Sequence, residues 1–281
     1  MSAQYQSALV VEGGAMRSVF SAGLLDGFLQ KNFRPFDLFI GVSAGAANLA
    51  AFLANMQGRN ITIFRQYALQ REFIDPLRFI RGGHMIDLDW LWQKADAEIP
   101  LDKKALNNCQ SPLLAGLPAL ASGLPVYKQV TADNVEAVIK ASSALPLLYR
   151  GFPEVDGLPV TDGGVADSLP VSKAIKYGAR RIMVIRARPH DYKKRDTLFH
   201  RYIRWQLGNY PNLRATMERR IELYNASISL IRNSPVGISI TEICPPAEFR
   251  AGRLCRNPDI LTAGYQCGFD MTDQVIDQWM Q

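Results

Sequence analysis

Leu38-Phe39-Ile40-Gly41-Val42-Ser43-Ala44-Gly45-Ala46-Ala47 is the stretch on which the reading of this chain turns. The apolar run Leu38 to Val42 leads straight into a serine with glycines at minus two and plus two. The small, helix-favouring run Ala44 to Leu53 follows. Strand, sharp turn and helix form the context in which G-x-S-x-G marks a nucleophile. Such a turn strains the serine, so its neighbours must carry almost no side chain. The helix that starts there aims its positive end and free N–H groups at a developing oxyanion. The plainer alternative is a small-residue turn between a strand and a helix.

Upstream, Ala8-Leu9-Val10-Val11 is a short apolar run of the kind buried parallel strands show. Glu12-Gly13-Gly14-Ala15-Met16-Arg17-Ser18 follows. Helical periodicity then runs from Val19 to Leu29, and Phe33 to Pro35 breaks it. This is one βαβ unit, and both the Gly-rich loop and the elbow fall at carboxyl ends of strands, where α/β sheets place their sites. The loop is not G-x-G-x-x-G, so it is not read as a dinucleotide loop. It reads as an anion cradle: Gly13 and Gly14 let backbone N–H groups converge, and Arg17 adds positive charge.

Downstream, a helix is expected over Ile61 to Phe73, and loop around Pro76 and Gly82-Gly83, with His84 a solvated loop residue. Asp87 to Trp92 reads as a helix start serving as core or lid. Ser111 to Pro125 reads as a mobile covering segment, Pro125 to Thr131 as a strand, and Asp133 to Ser142 as a helix. In Val155-Asp156-Gly157-Leu158-Pro159-Val160-Thr161-Asp162-Gly163-Gly164, Asp162 ends a short strand and two glycines let the chain turn. A carboxylate there can face the elbow serine, but 119 residues separate them, so only the fold can join them. A helix (Val171 to Tyr177), a strand (Arg181 to Ala187), a long helix (Asn212 to Ile231), a last strand (Gly237 to Ile243) and an amphipathic helix (Tyr265 to Met280) complete the pattern. The expectation is a single domain over 1–281, with a motif-bearing part over about 8–187 and a basic helical part over about 188–281.

Apolar residues make up 48% of the 281 and charged residues 21%, an ordinary balance for a globular protein. Met1 to Ser7 is polar, without the basic and apolar regions of a signal peptide, and no window could span a bilayer. Cys109, Cys244, Cys255 and Cys267 lack metal-ligand spacing and read as free thiols. No metal and no cofactor are expected. The expected location is cytoplasmic, peripheral at the inner membrane surface. The net charge of +6 is uneven: Arg180 to Arg220 holds twelve Lys or Arg against three acids, a local +9. A solvated helical face would account for that. The functional reading is attraction to an anionic membrane, since no nucleic-acid-binding signature accompanies the charge.

Three motifs stand in order: Gly13 to Ser18, Gly41-Val42-Ser43-Ala44-Gly45, and Asp162-Gly163-Gly164. Their order and spacing resemble the patatin-like phospholipase family, as does Ala141-Ser142-Ser143-Ala144-Leu145-Pro146 between them. The resemblance covers about Leu9 to Ala187. It implies a three-layer α/β/α fold with a mainly parallel sheet, and hydrolysis of acyl esters of lipids by a serine–aspartate dyad without histidine. By position, Ser43 is the implied nucleophile and Asp162 its base. Gly13, Gly14, Ala15 and Arg17 form the implied oxyanion loop, while Gly41, Gly45, Gly163 and Gly164 are motif glycines. The sequence departs from the family where Ala15 and Ser18 replace glycines, and a Cβ at Ala15 restricts positive φ. Two other readings fit the residues: a Ser43–Asp162 triad completed by His190 or His200, and a non-catalytic lipid-binding protein on a membrane surface.

Overall fold

The computed structural model describes residues 5–281, so the polar start lies outside the described residues up to residue 4. Eight strands are described: β1 (Ser7–Val11), β2 (Leu38–Val42), β3 (Leu113–Pro118), β4 (Pro125–Val130), the two-residue β5 (Glu154–Val155) and β6 (Leu158–Pro159), β7 (Arg181–Ile185) and β8 (Ser239–Ile243). Six of them form one sheet in the order β4-β3-β2-β1-β7-β8, parallel except for the β3–β4 pair. The helices are α1 (Val19–Gln30), α2 (Ala44–Leu53), α3 (Arg59–Thr62), α4 (Pro76–Ile80), α5 (Leu88–Glu98), α6 (Lys103–Asn108), α7 (Val135–Ser143), α8 (Val171–Lys176), α9 (Leu198–Gln206), α10 (Pro211–Arg232), α11 (Pro258–Asp270) and α12 (Thr272–Met280).

After the polar first residues Ser7 of β1 and Arg181 of β7, the central strands are apolar and buried because both faces are covered. Leu9, Val11, Phe39, Met183 and Ile185 pack on residues of α1, α2, α7 and α12. Their neighbours Ala8, Val10, Leu38, Ile40, Ile182 and Val184 pack on α8 and α10. The result is a three-layer α/β/α arrangement. Val11 pairs with Gly41 and Ile185, which brings the ends of β1, β2 and β7 level and puts the loops after them on one edge.

The C-terminal helices are fitted to the N-terminal ones through glycine. A Cβ built on Gly23 of α1 would lie 1.9 Å from Tyr265 O, and one on Gly268 of α11 2.0 Å from Phe20 O. Side chains at these positions would drive the two backbones apart.

Five sequence expectations require correction. The loop expected around Pro76 and Gly82-Gly83 contains the helix α4, which starts at Pro76 because the Asp75 side chain caps it through the Leu77 and Arg78 N–H groups. Ser111 to Pro125 is no mobile cover: β3 is buried along its whole length, because its Leu-rich run pairs in parallel with β2. Ile61 to Phe73 is not one α-helix: α3 passes into a π-helical turn over Ile63–Tyr67. Tyr265 to Met280 is two helices, α11 from Pro258 and α12, meeting at Met271. His84 stacks on Tyr149 with ring centroids 4.3 Å apart, and its Nδ1 accepts the Arg150 N–H at 2.7 Å.

Candidate active site

Ser43 joins β2 to α2 with φ 54° and ψ −129°, a strained conformation for a residue with a Cβ. Two bonds stabilise it there. Its N–H donates to Ser142 Oγ at 2.9 Å, and Ser142 Oγ donates to Gly116 O at 2.7 Å. The surrounding glycines serve close approach, not positive φ. A Cβ at Gly41 would lie 2.5 Å from Ala46 Cα, and at Gly45 2.5 Å from Val11 O. One at Gly13 would lie 2.5 Å from Val42 O. The left-handed φ values fall instead on Ser43 and on Ala15, at 49°. Alanine therefore does adopt, at a cost, the conformation that its Cβ disfavours.

The Gly13–Ala15 loop leaves β1 beside this elbow. A short 3-10 turn over Ala15–Ser18 closes it, with the Arg17 N–H on Gly14 O and the Met16 N–H on Arg253 O, each at 3.2 Å. Among the described residues, the N–H groups of Gly13, Gly14 and Ala15 meet no protein acceptor, and all three residues line the cavity that Ser43 faces. Unspent donors at that position can meet a developing oxyanion. The side chain of Arg17 lines the same cavity, while Ser18 is fully buried.

Asp162 reaches the elbow through β3. Its N–H donates to Ala144 O at 3.1 Å, and its Oδ1 accepts the Gly164 N–H at 2.7 Å, capping a 3-10 turn over Gly163–Val165. A Cβ on Gly163 would sit 2.1 Å from Gly116 O, so only glycine lets the turn press against β3. Asp162 thus lies at the start of a turn beyond β6 and not in a strand. Its carboxylate lines the same cavity as Ser43, close enough for the serine side chain to act on its proton affinity. Burial raises its proton affinity above that of an ordinary carboxylate. The Gly164 N–H, Arg253, Ser43 and Arg220 oppose that rise.

Of the two histidines, His190 is exposed, beside Asp191. His200 is half-buried and lines the cavity of Ser43. Its Nδ1 meets Thr197 Oγ1 at 3.1 Å and its Nε2 meets Arg220 at 2.8 Å. Burial, then Arg220, pulls its pKa down to about 4. A ring whose nitrogens are occupied in this way and whose proton affinity is so low is a poor general base.

Ser43 stands where two cavities meet. One is apolar and lined by Met16, Phe64, Ile74, Leu91, Trp92 and Ile139 among others. The other is lined by the Gly13–Ala15 loop, Asp162 and a set of cations: Arg17, Arg188, Lys194, Arg195, Arg220 and Arg253. Of the twelve basic residues counted over Arg180 to Arg220, Arg186, Lys194 and Arg220 are buried. The inward turn of Lys194 and Arg220, and the arrival of Arg253 from the loop after β8, left no local signal. Ser142 did leave one, in the Ala141 to Pro146 motif.

Among the described residues no group of three His, Cys, Asp or Glu could hold a metal ion, all four cysteines are free, and no helix is long and apolar enough to cross a membrane.

Comparison with known proteins gives three kinds of match. A family model described as patatin-like phospholipase matches residues 9–175, and one described as a domain of unknown function (DUF6363) matches residues 210–281. The uncharacterized protein YjjU of Escherichia coli (strain K12) is 35% identical over 279 residues, covering 92% of this chain and 78% of YjjU. The crystal structure of VipD from Legionella pneumophila superposes with a TM-score of 0.48 at 14% identity, covering 97% of this chain and 67% of VipD.

Proposed function

The chain belongs to the patatin-like phospholipase family, and from that premise we propose that it cleaves lipid acyl esters with Ser43 as nucleophile and Asp162 as base. Asp162 takes the proton as Ser43 Oγ attacks the ester carbonyl. The N–H groups of Gly13, Gly14 and Ala15 stabilise the oxyanion. The alcohol leaves with the proton returned by Asp162. A water activated by the same carboxylate then releases the fatty acid and regenerates the serine. The observation that carries this reading is that Ser43, strained at φ 54°, and the buried Asp162 line one cavity and act on each other there. The apolar cavity on one side of Ser43 suits the acyl chain.

The single-domain reading is supported by β8, which pairs with β7 in the common sheet, and by α11 packed on α1. Peripheral contact with an anionic membrane is supported by α9, which exposes Arg201, Tyr202 and Trp205 together. A cytoplasmic place at the inner membrane surface would suit that contact.

The test is hydrolysis of p-nitrophenyl butyrate. Wild-type protein should turn it over, and Ser43→Ala should lower kcat by about a thousandfold or more while keeping its fold. Equal rates would remove Ser43 from the chemistry.

A further inference from the structure

The cationic cavity holds more positive charge than the chain neutralises. Six cationic side chains line it against two carboxylates, Glu12 and Asp162. Three of the six are at least nine-tenths buried: Arg17 is 5% exposed, Arg220 7% and Lys194 9%. Among the described residues, none of Arg17, Arg188, Lys194, Arg220 and Arg253 forms an ion pair with a carboxylate. The two carboxylates offset only part of this charge, at longer range: Glu12 accepts the Ala187 N–H at 2.8 Å, and Asp162 Oδ1 accepts the Gly164 N–H at 2.7 Å.

The donors point to what is missing. Arg17 Nε is buried with no partner. Arg220 spends Nε on Gly164 O at 2.6 Å and Nη1 on His200, which leaves Nη2 uncommitted. Lys194 has one weak bond, 3.3 Å to Ser168 Oγ, and lies over the Tyr224 ring at 4.3 Å. Burial and mutual repulsion pull the proton affinities of all three down, to about 9 for Arg17 and about 10 for Arg220. Buried cations in excess of their counter-charge are costly to hold, and a bound anion would remove that cost.

Ser43, Ala15, Ser143 and Arg253 line this cavity and the apolar one alike. A ligand with its ester at Ser43 therefore extends a chain one way and an anionic group the other. We propose that the cationic cavity binds a phosphomonoester headgroup, making the preferred substrate an acyl ester that carries a terminal phosphate, of the phosphatidate or lysophosphatidate class. A phosphomonoester carries close to two negative charges at neutral pH and three acceptor oxygens, which guanidinium forks match in pairs. A phosphodiester brings one charge. A zwitterionic headgroup brings a further cation into a cavity already in surplus. The assignment of the cleaved bond rests on the hydrolase reading above, whereas the phosphate site does not.

The test is calorimetric binding to Ser43→Ala protein, with ligands of equal chain length kept below their micellar concentrations. Lysophosphatidate should bind at least about thirtyfold more tightly than lysophosphatidylcholine or the monoacylglycerol. Arg188→Gln and Lys194→Gln, measured separately, should each weaken it about tenfold. Equal affinity for lysophosphatidate and monoacylglycerol would overturn the proposal. So would unaltered binding in both variants. Glycerol 3-phosphate binding as tightly as lysophosphatidate would assign the site to a soluble phosphate and overturn the lipid. Wild-type p-nitrophenyl butyrate hydrolysis separates the two readings. A protein that hydrolyses this ester yet shows no phosphate preference keeps the hydrolase and loses the headgroup site. One that binds lysophosphatidate selectively and hydrolyses no ester does the reverse.

Discussion

Ser142 Oγ accepts the backbone N–H of Ser43 at 2.9 Å, ninety-nine residues away in the chain, and donates its own hydrogen bond to Gly116 O. This pair ties the elbow to β3 and to the helix α7 at once. Ser142→Ala leaves the Ser43 N–H buried without an acceptor, at a cost of about 1–3 kcal/mol. Because Ser142 positions the proposed nucleophile and lines neither cavity at Ser43, kcat on a short ester should fall about tenfold with KM little changed. An unaltered kcat would mean that other contacts fix Ser43.

Asp162→Asn should lower turnover nearly as far as Ser43→Ala, and the two changes should not add, since they disable one unit. The same change should stabilise the fold. Burial raises the native proton affinity of Asp162 above its unfolded value of about 3.9, so ionised Asp162 opposes folding at neutral pH. That opposition is present above the native pKa and disappears as pH falls below the unfolded one. Asp162→Asn should therefore melt about 2 °C or more above wild type at pH 7, with the gain shrinking towards pH 3. A lower melting temperature at pH 7 would show that the ionised carboxylate stabilises the fold through Arg253 and Arg220.

His200→Gln retains an acceptor for Arg220, and His190 is solvent-exposed. The double variant His190→Gln, His200→Gln should keep kcat on p-nitrophenyl butyrate within about tenfold. A loss of about a thousandfold would restore a histidine triad.

Ala15→Gly should relax the loop. Holding alanine at φ 49° costs about 1–2 kcal/mol, and glycine's extra freedom in the unfolded chain returns about 0.4–1 kcal/mol of that. The net expectation is a melting temperature unchanged or raised by a few degrees, with esterase activity retained. A fall of more than about 2 °C would mean that the methyl group packs usefully.

Vesicle co-sedimentation should rise with the anionic lipid fraction, fall with salt, and weaken severalfold on Trp205→Ala, whose ring is 69% exposed beside Arg201. Binding indifferent to lipid charge and salt would reduce the exposed arginines to a solvated face.

The order of strands and helices around the elbow was legible in the sequence because each signal is local. Apolar runs marked β1 and β2, and the glycines at 41 and 45 marked a turn too tight for side chains. The nucleophile candidate needed nothing further. Local reading also offered Asp162 and the Gly13–Ala15 loop as candidates, and the resemblance of three motifs gave them their implied roles. Local reading failed where the partner was distant. Ser111 to Pro125 looked like a cover because its composition is loop-like, and only pairing with β2 makes it the strand that carries Gly116 to Ser142 and Gly163.

The cations divide the same way. A run of charge states how many positive groups exist and nothing about which way each one points. The sequence by itself determined a βαβ start, an elbow serine and a basic segment. Only the tertiary structure decided that Lys194 and Arg220 turn inward to meet Arg17 from the first loop and Arg253 from beyond β8. The physical reason is that a side chain's direction follows from what its backbone packs against, and that packing joins segments more than two hundred residues apart.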